Sequence, residues 1–485
     1  MARVIFVNRY FFPDHSATSQ ILSDLTFHLA AIGHDVHVIT SRQLYDDSCA
    51  ALPESENISG VQVHRVASTR FGRAALSGRA LDYLSFYRSV RRHLREIAGA
   101  ADIVVAKTDP PLLSVALATI TRQRRAHLVN WLQDIYPETA SILGVPLLRG
   151  PVASALATLR NRSLREADDT VVVGELMARR IQGFGVPAAR VHVIANWCDD
   201  ETIKPAAEND NPLRQAWHLS GKFVVGHSGN LGRAHDFETV LGAAERLRNE
   251  PRIVFLMVGG GKHFEDLAKA VKARGLENSF RFRPYQERAM LPYSLGVADA
   301  HWLSLRPALE GLIVPSKFYA VAAAGKPMLM IGDSEGEIGR LIREHRCGTI
   351  IRLGERSDIG RYTAALVRTA QKHCRNGRPS AANAGCSIHP APSIRSVAPI
   401  NRTVGVPLAI GLIPQRHTGR GGVLIAVTIK FQLLWMSSVT KAANPTPQKA
   451  APASRGAMLQ SFHNPRVANA TPTVIITWTA ASPVR

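Results

Sequence analysis

Along residues 1–197, short runs rich in Val and Ile alternate with longer segments in which apolar residues recur at helical spacing. Such short apolar runs are typical of strands in a parallel sheet, because helices cover both of its faces. Helices are expected at 18–32, which Gly33 closes, and at 79–97. Strands are expected at 4–7, 36–40, 102–106, 127–131, 170–173 and 191–194.

A polar stretch at 198–221 interrupts this alternation and is interpreted as a linker. The pattern then restarts, which predicts a second doubly wound half. The chain is therefore expected to be an α/β protein with two Rossmann-like domains, 1–197 and 222–373, that bind a ligand in the cleft between them. The strands of the second half are expected within 222–229, 253–261, 279–285, 299–305, 327–333 and 348–353.

The last part of the chain follows neither pattern. Residues 359–485 contain 15 Lys or Arg and no Asp or Glu. Most of 374–485 lacks helical or strand periodicity, so we expect an irregular tail that is either disordered or the product of a shifted reading frame. We favour the second explanation, because the break falls inside a helix-like segment.

Charge and cysteine content narrow the function classes. The formal net charge is +21, but residues 1–358 hold 44 basic and 38 acidic side chains, a net of only +6. A nucleic-acid-binding protein is thus kept only as a non-enzyme alternative. The five cysteines form no C-x-x-C pair and no apolar run reaches 18 residues, so we expect a cytoplasmic protein whose contact with a membrane is peripheral.

One basic region is a candidate for such contact. Arginines alternate with leucine and aromatic residues between 70 and 125, and this combination could lie on anionic lipid. The alternative is an ordinary solvated helix face. The residues concerned are Arg70, Arg73, Leu76, Arg79, Leu81, Leu84, Phe86, Tyr87, Arg88, Arg91, Arg92, Arg95, Arg122, Arg124 and Arg125.

The candidate chemistry of the second half follows its strands. GHSGNLGRAHD at 226–236 has the composition of a loop that surrounds an anion, whereas VGGG at 258–261 is equally consistent with a plain tight turn. In EGLIVPSKFYAVAAAGKP, Pro315 is expected in the first turn of a helix that closes at Gly325. Ser316 and Lys317 would then lie at its positive end, where a diphosphate could bind.

These segments together resemble a known family. GHSGNLG, VGGG, RPY and EGLIVPSKFYAVAAAGKP resemble the carboxyl-terminal half of family 4 glycosyltransferases with the GT-B fold, and VIFVNRYFFPDHSATSQ with GHDVHVIT resembles their amino-terminal half. KTDPPLLS and VNWLQDIYPE are similar to the bacterial surface-polysaccharide subgroup of colanic acid and O-antigen type, including N-acetyl-L-fucosamine transferases. The resemblance covers about residues 1–370.

The resemblance implies a retaining glycosyltransferase of hexosyl or N-acetylhexosaminyl type. It would move a sugar from a nucleotide-diphosphate sugar to a lipid-linked or polysaccharide acceptor, at the inner face of the plasma membrane and without metal or other cofactor. A nucleotide-sugar 2-epimerase of the same fold stays open as an alternative. The family's last helix crosses back between the domains, so we expect its truncation near 360–385 to lower stability or activity.

The resemblance also implies residue roles on the donor side. Glu310 matches the first glutamate of the family's E-x7-E motif and would contact the donor sugar, whereas the second glutamate is absent near 318–320. Asn230 and His235 stand where the family usually has Arg and Lys, which leaves Lys317, with Arg233, to neutralise phosphate. The donor-binding set is Gly229, Asn230, Arg233, His235, Arg283, Tyr285, Gly311, Leu312, Ser316 and Lys317.

The amino-terminal domain would bind the acceptor. Asp134 and Glu138 are candidates for orienting the acceptor hydroxyl, and their alternative is a capping and turn role. The family's His-Asp pair reads Gln133-Asp134 here. Asp14, His15 and Asp109 lie on other strand-end loops with weaker claims to the same cleft.

Overall fold

The structure is a computed structural model that describes residues 3–72, 76–145, 148, 150–205, 211–353, 409–412 and 427–430. Residues 3–193 form the N-lobe, around an eight-stranded sheet of order β3-β4-β2-β1-β5-β6-β7-β8. Every neighbouring pair is parallel except β3 and β4. The strands are β1 Val4–Val7, β2 Val36–Ser41, β3 Ser55–Ile58, β4 Val61–Val66, β5 Ile103–Lys107, β6 His127–Leu132, β7 Asp169–Val172 and β8 Val191–Val193.

Among the described residues, six helices belong to this lobe. Helix α3 contacts both α2 and α5, so these three form one layer on the same face. The helices are α1 Ala17–Ala31, α2 Leu76–Ile97, α3 Leu113–Arg124, α4 Glu138–Ile142, α5 Gly150–Glu166 and α6 Glu175–Gly183.

Residues 223–351 form the C-lobe, around a six-stranded parallel sheet of order β11-β10-β9-β12-β13-β14. Its strands are β9 Phe223–Asn230, β10 Ile253–Gly260, β11 Phe280–Arg283, β12 Ala300–Ser304, β13 Met328–Ile331 and β14 Gly348–Ile351. The remaining helices are α7 Pro212–Ala216, which precedes this sheet, α8 Glu238–Arg246, α9 Lys262–Ala273, α10 Leu291–Gly296, α11 Lys317–Ala323 and α12 Glu337–His345.

Both sheets reverse their strand order at one place, between β1 and β5 in the N-lobe and between β9 and β12 in the C-lobe. In a doubly wound sheet, the crevice at this switch point, outside the carboxyl ends of the strands, is where ligands bind. The prediction of two doubly wound α/β domains is therefore confirmed, and the fold provides one candidate crevice in each lobe.

The lobes lie in one compact unit of the chain and share part of their core. A single buried cluster joins Ile135 and Met177 of the N-lobe to Leu309, Leu312 and Phe318 of the C-lobe. Burial of each such side chain stabilises the fold by about 1.5–3 kcal/mol, so this shared core strongly favours association of the two lobes.

The sequence analysis did not predict the hairpin of β3 and β4. Apolar and polar residues alternate at the start of VQVHRV (β4), and Ser59 and Gly60 both have positive φ, as a two-residue type I′ hairpin turn requires. The segment interpreted as a linker also contains helix α7.

Only a small part of the carboxyl-terminal region lies within the described residues. The predicted crossover near 360–385 lies outside the described residues. In a separate unit of the chain, Ala409–Leu412 (β15) pairs antiparallel with Val427–Lys430 (β16). Among the described residues, no helix combines the length and apolar character needed to span a membrane.

Candidate active site

The predicted donor and acceptor segments meet between the lobes. Asp134, which follows β6, forms an antiparallel bridge with Ile313, and the Ile135 amide donates to the Leu312 carbonyl at 2.9 Å. Arg233, after β9, donates to the Leu143 carbonyl at 3.5 Å. The carboxyl ends of the two sheets therefore face a common cleft.

Lys317 lies at the switch point of the C-lobe, in a chain of hydrogen bonds. Its Nζ donates to His235 Nε2 at 3.3 Å, and His235 Nδ1 donates to the Ser304 carbonyl at 2.7 Å. Because the carbonyl only accepts, the hydrogen of a neutral His235 lies on Nδ1, and Nε2 is left to accept from the ammonium group. These two hydrogen bonds therefore hold the Lys317 ammonium group at the cleft.

Burial governs the charge of this pair. It lowers the pKa of His235 to about 3, with a further contribution from the Lys317 charge, and it lowers the pKa of Lys317 to about 8. At pH 7 the imidazole is therefore neutral and most Lys317 side chains keep their charge. The C-lobe edge thus presents one cation beside a neutral histidine.

Glycine makes this arrangement possible. Gly229 has φ +115°, and a Cβ there would lie 2.8 Å from Lys317 Cε. At Gly259, which pairs with Gly229 across β9 and β10, a Cβ would lie 2.3 Å from the Gly229 carbonyl oxygen. Only glycine lets both strand ends and the Lys317 stem pack this closely.

Two local predictions need correction. Strand β9 continues through Asn230, so the segment predicted as an anion-binding loop is a strand for half its length. Helix α11 begins at Lys317 with Ser316 as its N-cap, not at Pro315, because a turn precedes it in which the Phe318 amide donates to the Pro315 carbonyl. Gly325, with φ +67°, follows the helix end as predicted.

The carboxyl group of Glu310 is directed at the start of α12. Its Oε2 accepts from the Glu337 amide at 3.2 Å, whereas its buried Oε1 has no hydrogen-bond partner. Burial, together with the charges of Asp333 and Glu337 and against the Glu337 hydrogen bond, raises the pKa of Glu310 to about 7. The contact of Glu310 with the donor sugar stays a prediction.

Gly311 and Leu312, predicted to bind donor, lie at the contact between the lobes, and their binding of donor stays a prediction. Gly311 has φ +72°, and a Cβ there would lie 3.2 Å from the Leu176 carbonyl oxygen of α6. The Leu312 side chain is fully buried in the shared core, and its carbonyl is paired with Ile135. The sequence could not indicate this, because both partners come from the other lobe.

The residues predicted near the nucleobase diverge. Tyr285 is 59% exposed, with its ring against Gly260, where a Cβ would lie 3.2 Å from the ring. Arg283 instead lies over the Trp217 ring at 5.6 Å and donates to the Phe282 carbonyl. Tyr285 therefore presents an exposed aromatic ring. Asn230, which the resemblance places on the phosphate side of the donor, is exposed at the end of β9.

On the N-lobe side, Asp134 and Asp109 are neighbours at the ends of β6 and β5. Burial, and then the charge of Asp109, raises the pKa of Asp134 to about 7. The sequence missed Lys107 nearby, which is 1% exposed and lies 3.8 Å from the centre of the Trp131 ring. Burial lowers its pKa to about 7 against the opposing charge of Asp109.

Glu138 has a structural partner. Arg160 donates to its two carboxylate oxygens at 2.6 and 3.0 Å and to the Tyr136 carbonyl at 2.8 Å. Glu138 is also the first residue of α4, where a negative charge stabilises the helix. The capping alternative therefore fits Glu138 better than orientation of the acceptor.

Asp14 and His15, predicted on the acceptor side, have partners within the N-lobe. The Asp14 carboxylate is 4% exposed and accepts from the Ser16 amide at 2.8 Å and the Tyr45 amide at 2.5 Å, so it fixes its own loop. His15 is exposed and lies 3.6 Å from Asp46. Their role toward the acceptor stays a prediction.

The basic region forms a mixed face on α2. Phe86 is buried and the Tyr87 hydroxyl donates to the Pro111 carbonyl, so these two rings belong to the core side, against the prediction. Arg73 lies outside the described residues. The exposed positions of α2 include Leu81, Leu84, Arg88, Arg92 and Arg95, which recur at intervals of three and four, and also Glu96, which lies 3.5 Å from Arg92.

Comparison with known proteins supports a glycosyltransferase. Residues 17–197 match the glycosyl transferase 4-like domain family. The chain is 26% identical over 350 residues to the putative colanic acid biosynthesis glycosyl transferase WcaI of Escherichia coli, with 68% of this chain and 83% of that protein covered. It is 29% identical over 277 residues to the probable glycosyltransferase WbjE of Pseudomonas aeruginosa, with 56% and 67% covered.

Solved structures share the fold. Anabaena HepE in complex with UDP-glucose has a TM-score of 0.58 at 17% identity, with 84% of this chain and 98% of that chain covered. Sucrose-phosphate synthase from Thermosynechococcus elongatus has a TM-score of 0.61 at 12% identity, with 83% and 95% covered. At these identities the likeness establishes the two-domain GT-B architecture, in agreement with the sheets described above.

Proposed function

We propose that this chain is a retaining glycosyltransferase of bacterial surface-polysaccharide biosynthesis. It moves a hexosyl or N-acetylhexosaminyl group from a nucleotide-diphosphate sugar to a lipid-linked or glycan acceptor. The observation that carries the proposal is the Lys317 ammonium group, held beside neutral His235 at the C-lobe switch point. The names of WcaI and WbjE support the reaction class, and the UDP-glucose complex of HepE supports the kind of donor.

The proposed chemistry is electrostatic. Charge develops on the diphosphate leaving group as the glycosidic bond breaks, and a cation fixed in advance stabilises that charge. Lys317 supplies this cation, since His235 and Asn230 stand where the family usually has further basic residues. Glu310 would contact the donor sugar, and Asp134 would orient the acceptor hydroxyl from the N-lobe.

We expect the reaction to need no metal ion, because Lys317 would take the role of neutralising the diphosphate. Turnover should be the same before and after treatment with excess EDTA. Loss of activity that added Mg²⁺ or Mn²⁺ restores would contradict this part of the proposal.

The acceptor would be delivered at a membrane surface on the cytoplasmic side. The outward face of α2 combines Leu81 and Leu84, which are 49% and 62% exposed, with Arg88, Arg92 and Arg95. On α5, Val152 and Leu159 are also about half exposed, at 51% and 48%. Exposed leucine beside arginine is suited to a surface of anionic lipid.

Vesicle sedimentation tests this face. We expect the protein to sediment with phosphatidylglycerol vesicles and not with phosphatidylcholine vesicles, and L81E together with L84E should abolish binding. L353E, which changes an exposed leucine of the C-lobe, is the matched control. Equal sedimentation of all variants would contradict the assignment.

The reaction itself is tested with radiolabelled UDP-, GDP- and dTDP-sugars, including N-acetylhexosamine donors of the N-acetyl-L-fucosamine type. Membrane lipid extract serves as acceptor. We expect label in the lipid fraction only when acceptor is present. Release of a 2-epimer without acceptor would favour the epimerase, an activity that the names of the relatives do not support. Failure of every donor to react would contradict the proposal.

A further inference from the structure

We propose that Glu337 is a positioning residue that joins the two lobes and orients the carboxyl group of Glu310. It is 5% exposed and lies at the start of α12, outside every motif that the sequence singled out. The inference rests on the proposed function only in its effect on turnover, because the contacts themselves can be measured without a substrate.

Glu337 links the lobes through a helix terminus. Its Oε2 accepts from the Leu176 amide of α6 at 3.1 Å, and Arg340 donates to its Oε1 at 2.8 Å. The first amides of a helix have no partner within the helix, and the N-cap of α6 is Gly174, which has no side chain to supply one. The C-lobe therefore supplies the cap of an N-lobe helix.

Glu310 caps the start of α12 in the same way as Glu337 caps α6. Its Oε2 accepts from the Glu337 amide at 3.2 Å, and the N-cap of α12 is again a glycine, Gly336. Each carboxylate thus caps a nine-residue helix, Glu310 for α12 and Glu337 for α6. Since one residue is both the cap of α6 and the donor to Glu310, movement of α6 is transmitted to the Glu310 carboxyl group.

The glycines show that this junction is closely fitted. A Cβ at Gly174 would lie 2.7 Å from Glu337 Cδ, and a Cβ at Gly336 would lie 2.3 Å from Glu310 Oε1. From the N-lobe, Arg180 also donates to the Glu310 carbonyl at 3.0 Å. Glu310 is therefore held from both lobes, and only its Oε1 stays without a partner.

The consequence concerns closure of the cleft. When the lobes separate, Glu337 loses the Leu176 amide and Glu310 loses Arg180. When they close, both contacts form and the Glu310 carboxyl group is fixed from both lobes. Glu337 therefore makes productive donor geometry depend on the closed arrangement.

Hydrogen exchange and kinetics on the full chain test this inference. In E337A we expect the amides at the start of α6 to exchange about 10-fold faster, the loss of one charged hydrogen bond. We expect kcat to fall about 100-fold with unchanged nucleoside diphosphate affinity, because misplacement of a reacting group acts on turnover. E337Q keeps a side-chain oxygen that can accept from the Leu176 amide, so it should recover part of both losses, which separates loss of the contact from misfolding of E337A.

The controls separate this role from general damage. E344A removes another Arg340 partner on the same helix, and G183A adds a methyl group where nothing lies within 4 Å; both should match the native protein. G336A should displace the Glu310 carboxyl group and lower kcat as E337A does. Native exchange at α6 in E337A would overturn the inference, whereas absence of transfer by the native enzyme would overturn only the proposed function.

Discussion

The two lobes share a doubly wound strand order, but the carboxyl edges of their sheets carry different chemistry. The C-lobe edge presents the Lys317 cation beside a neutral histidine, where an anion would be stabilised. The N-lobe edge presents Asp134 and Asp109, two acids close enough to influence each other, with the buried Lys107 beside them. The fold alone therefore does not decide which lobe holds the donor; a few side chains at the switch points do.

The largest effect should come from removing the cation of the C-lobe. We expect K317M to lower kcat/KM about 100- to 1000-fold, the usual cost of one electrostatic contact to a leaving group. K317R should recover part of this loss. K262M, which changes an exposed lysine at the start of α9, should retain native kinetics. Native activity in K317M would contradict the claim that the C-lobe edge, and not the N-lobe edge, stabilises the anionic donor.

The second-largest effect on activity should come from changing Asp134 at the acidic edge of the N-lobe. We expect D134N to lower kcat about 100-fold if the carboxylate orients the acceptor hydroxyl. Because the pKa of Asp134 is about 7, native activity should rise with pH through that value as the carboxylate forms. This rise should be absent in D134N. A pH profile that is the same in both proteins would show that Asp134 has no part in the reaction.

The residues in these two predictions also show which features could be predicted from the sequence. Val4–Val7 and the other buried strands were predictable because their apolar runs are short and bounded, and Lys317 was predictable from its place beside a helix start. The contacts of Glu310 were not, since Glu337 lies 27 positions further along the chain and belongs to a different helix. Leu312 was assigned to a donor-binding segment. Its contact with Ile135 could not be predicted, because Ile135 belongs to the other lobe.

Glu138 gives the same lesson. Its spacing from Asp134 suggested a pair of acids, yet Arg160 of α5 takes up its carboxylate. Nothing local in the sequence connects these two side chains. What a pattern can predict is the element and its edge; which groups at that edge stay free depends on distant elements that pack against it.

Acid should weaken the C-lobe. Burial lowers the pKa of His301 to about 4, against a usual value of 6.5. The unfolded state therefore binds the proton first as pH falls from 6.5, and stability drops until about pH 4, by roughly 3 kcal/mol. Urea midpoints at pH 7.5 and 5 should differ less in H301Q than in the native protein. Equal acid sensitivity would contradict this.

The smallest effect, of opposite sign, is expected in the N-lobe. His127 is partly buried, but its hydrogen bond to Asp169 at 2.9 Å and the charges of Asp168 and Asp169 outweigh that burial and raise its pKa. Its contribution is present below pH 6.5 and is lost as pH rises through the folded-state pKa. Because the pair is partly exposed, H127Q should cost about 0.5 kcal/mol at pH 6 and less at pH 9. A larger cost at pH 9 would contradict the assignment.

Calorimetric titration of nucleoside diphosphates is the most direct measurement of the central claim. UDP, GDP, ADP and dTDP are titrated into the native protein and into K317M, with thermal unfolding to verify that both are folded. We predict that the native protein binds at least one of them and that K317M binds it at least about 10-fold more weakly, the loss of about 1.4 kcal/mol. Equal affinity in the two proteins, or no binding of any diphosphate by the native protein, would contradict the account.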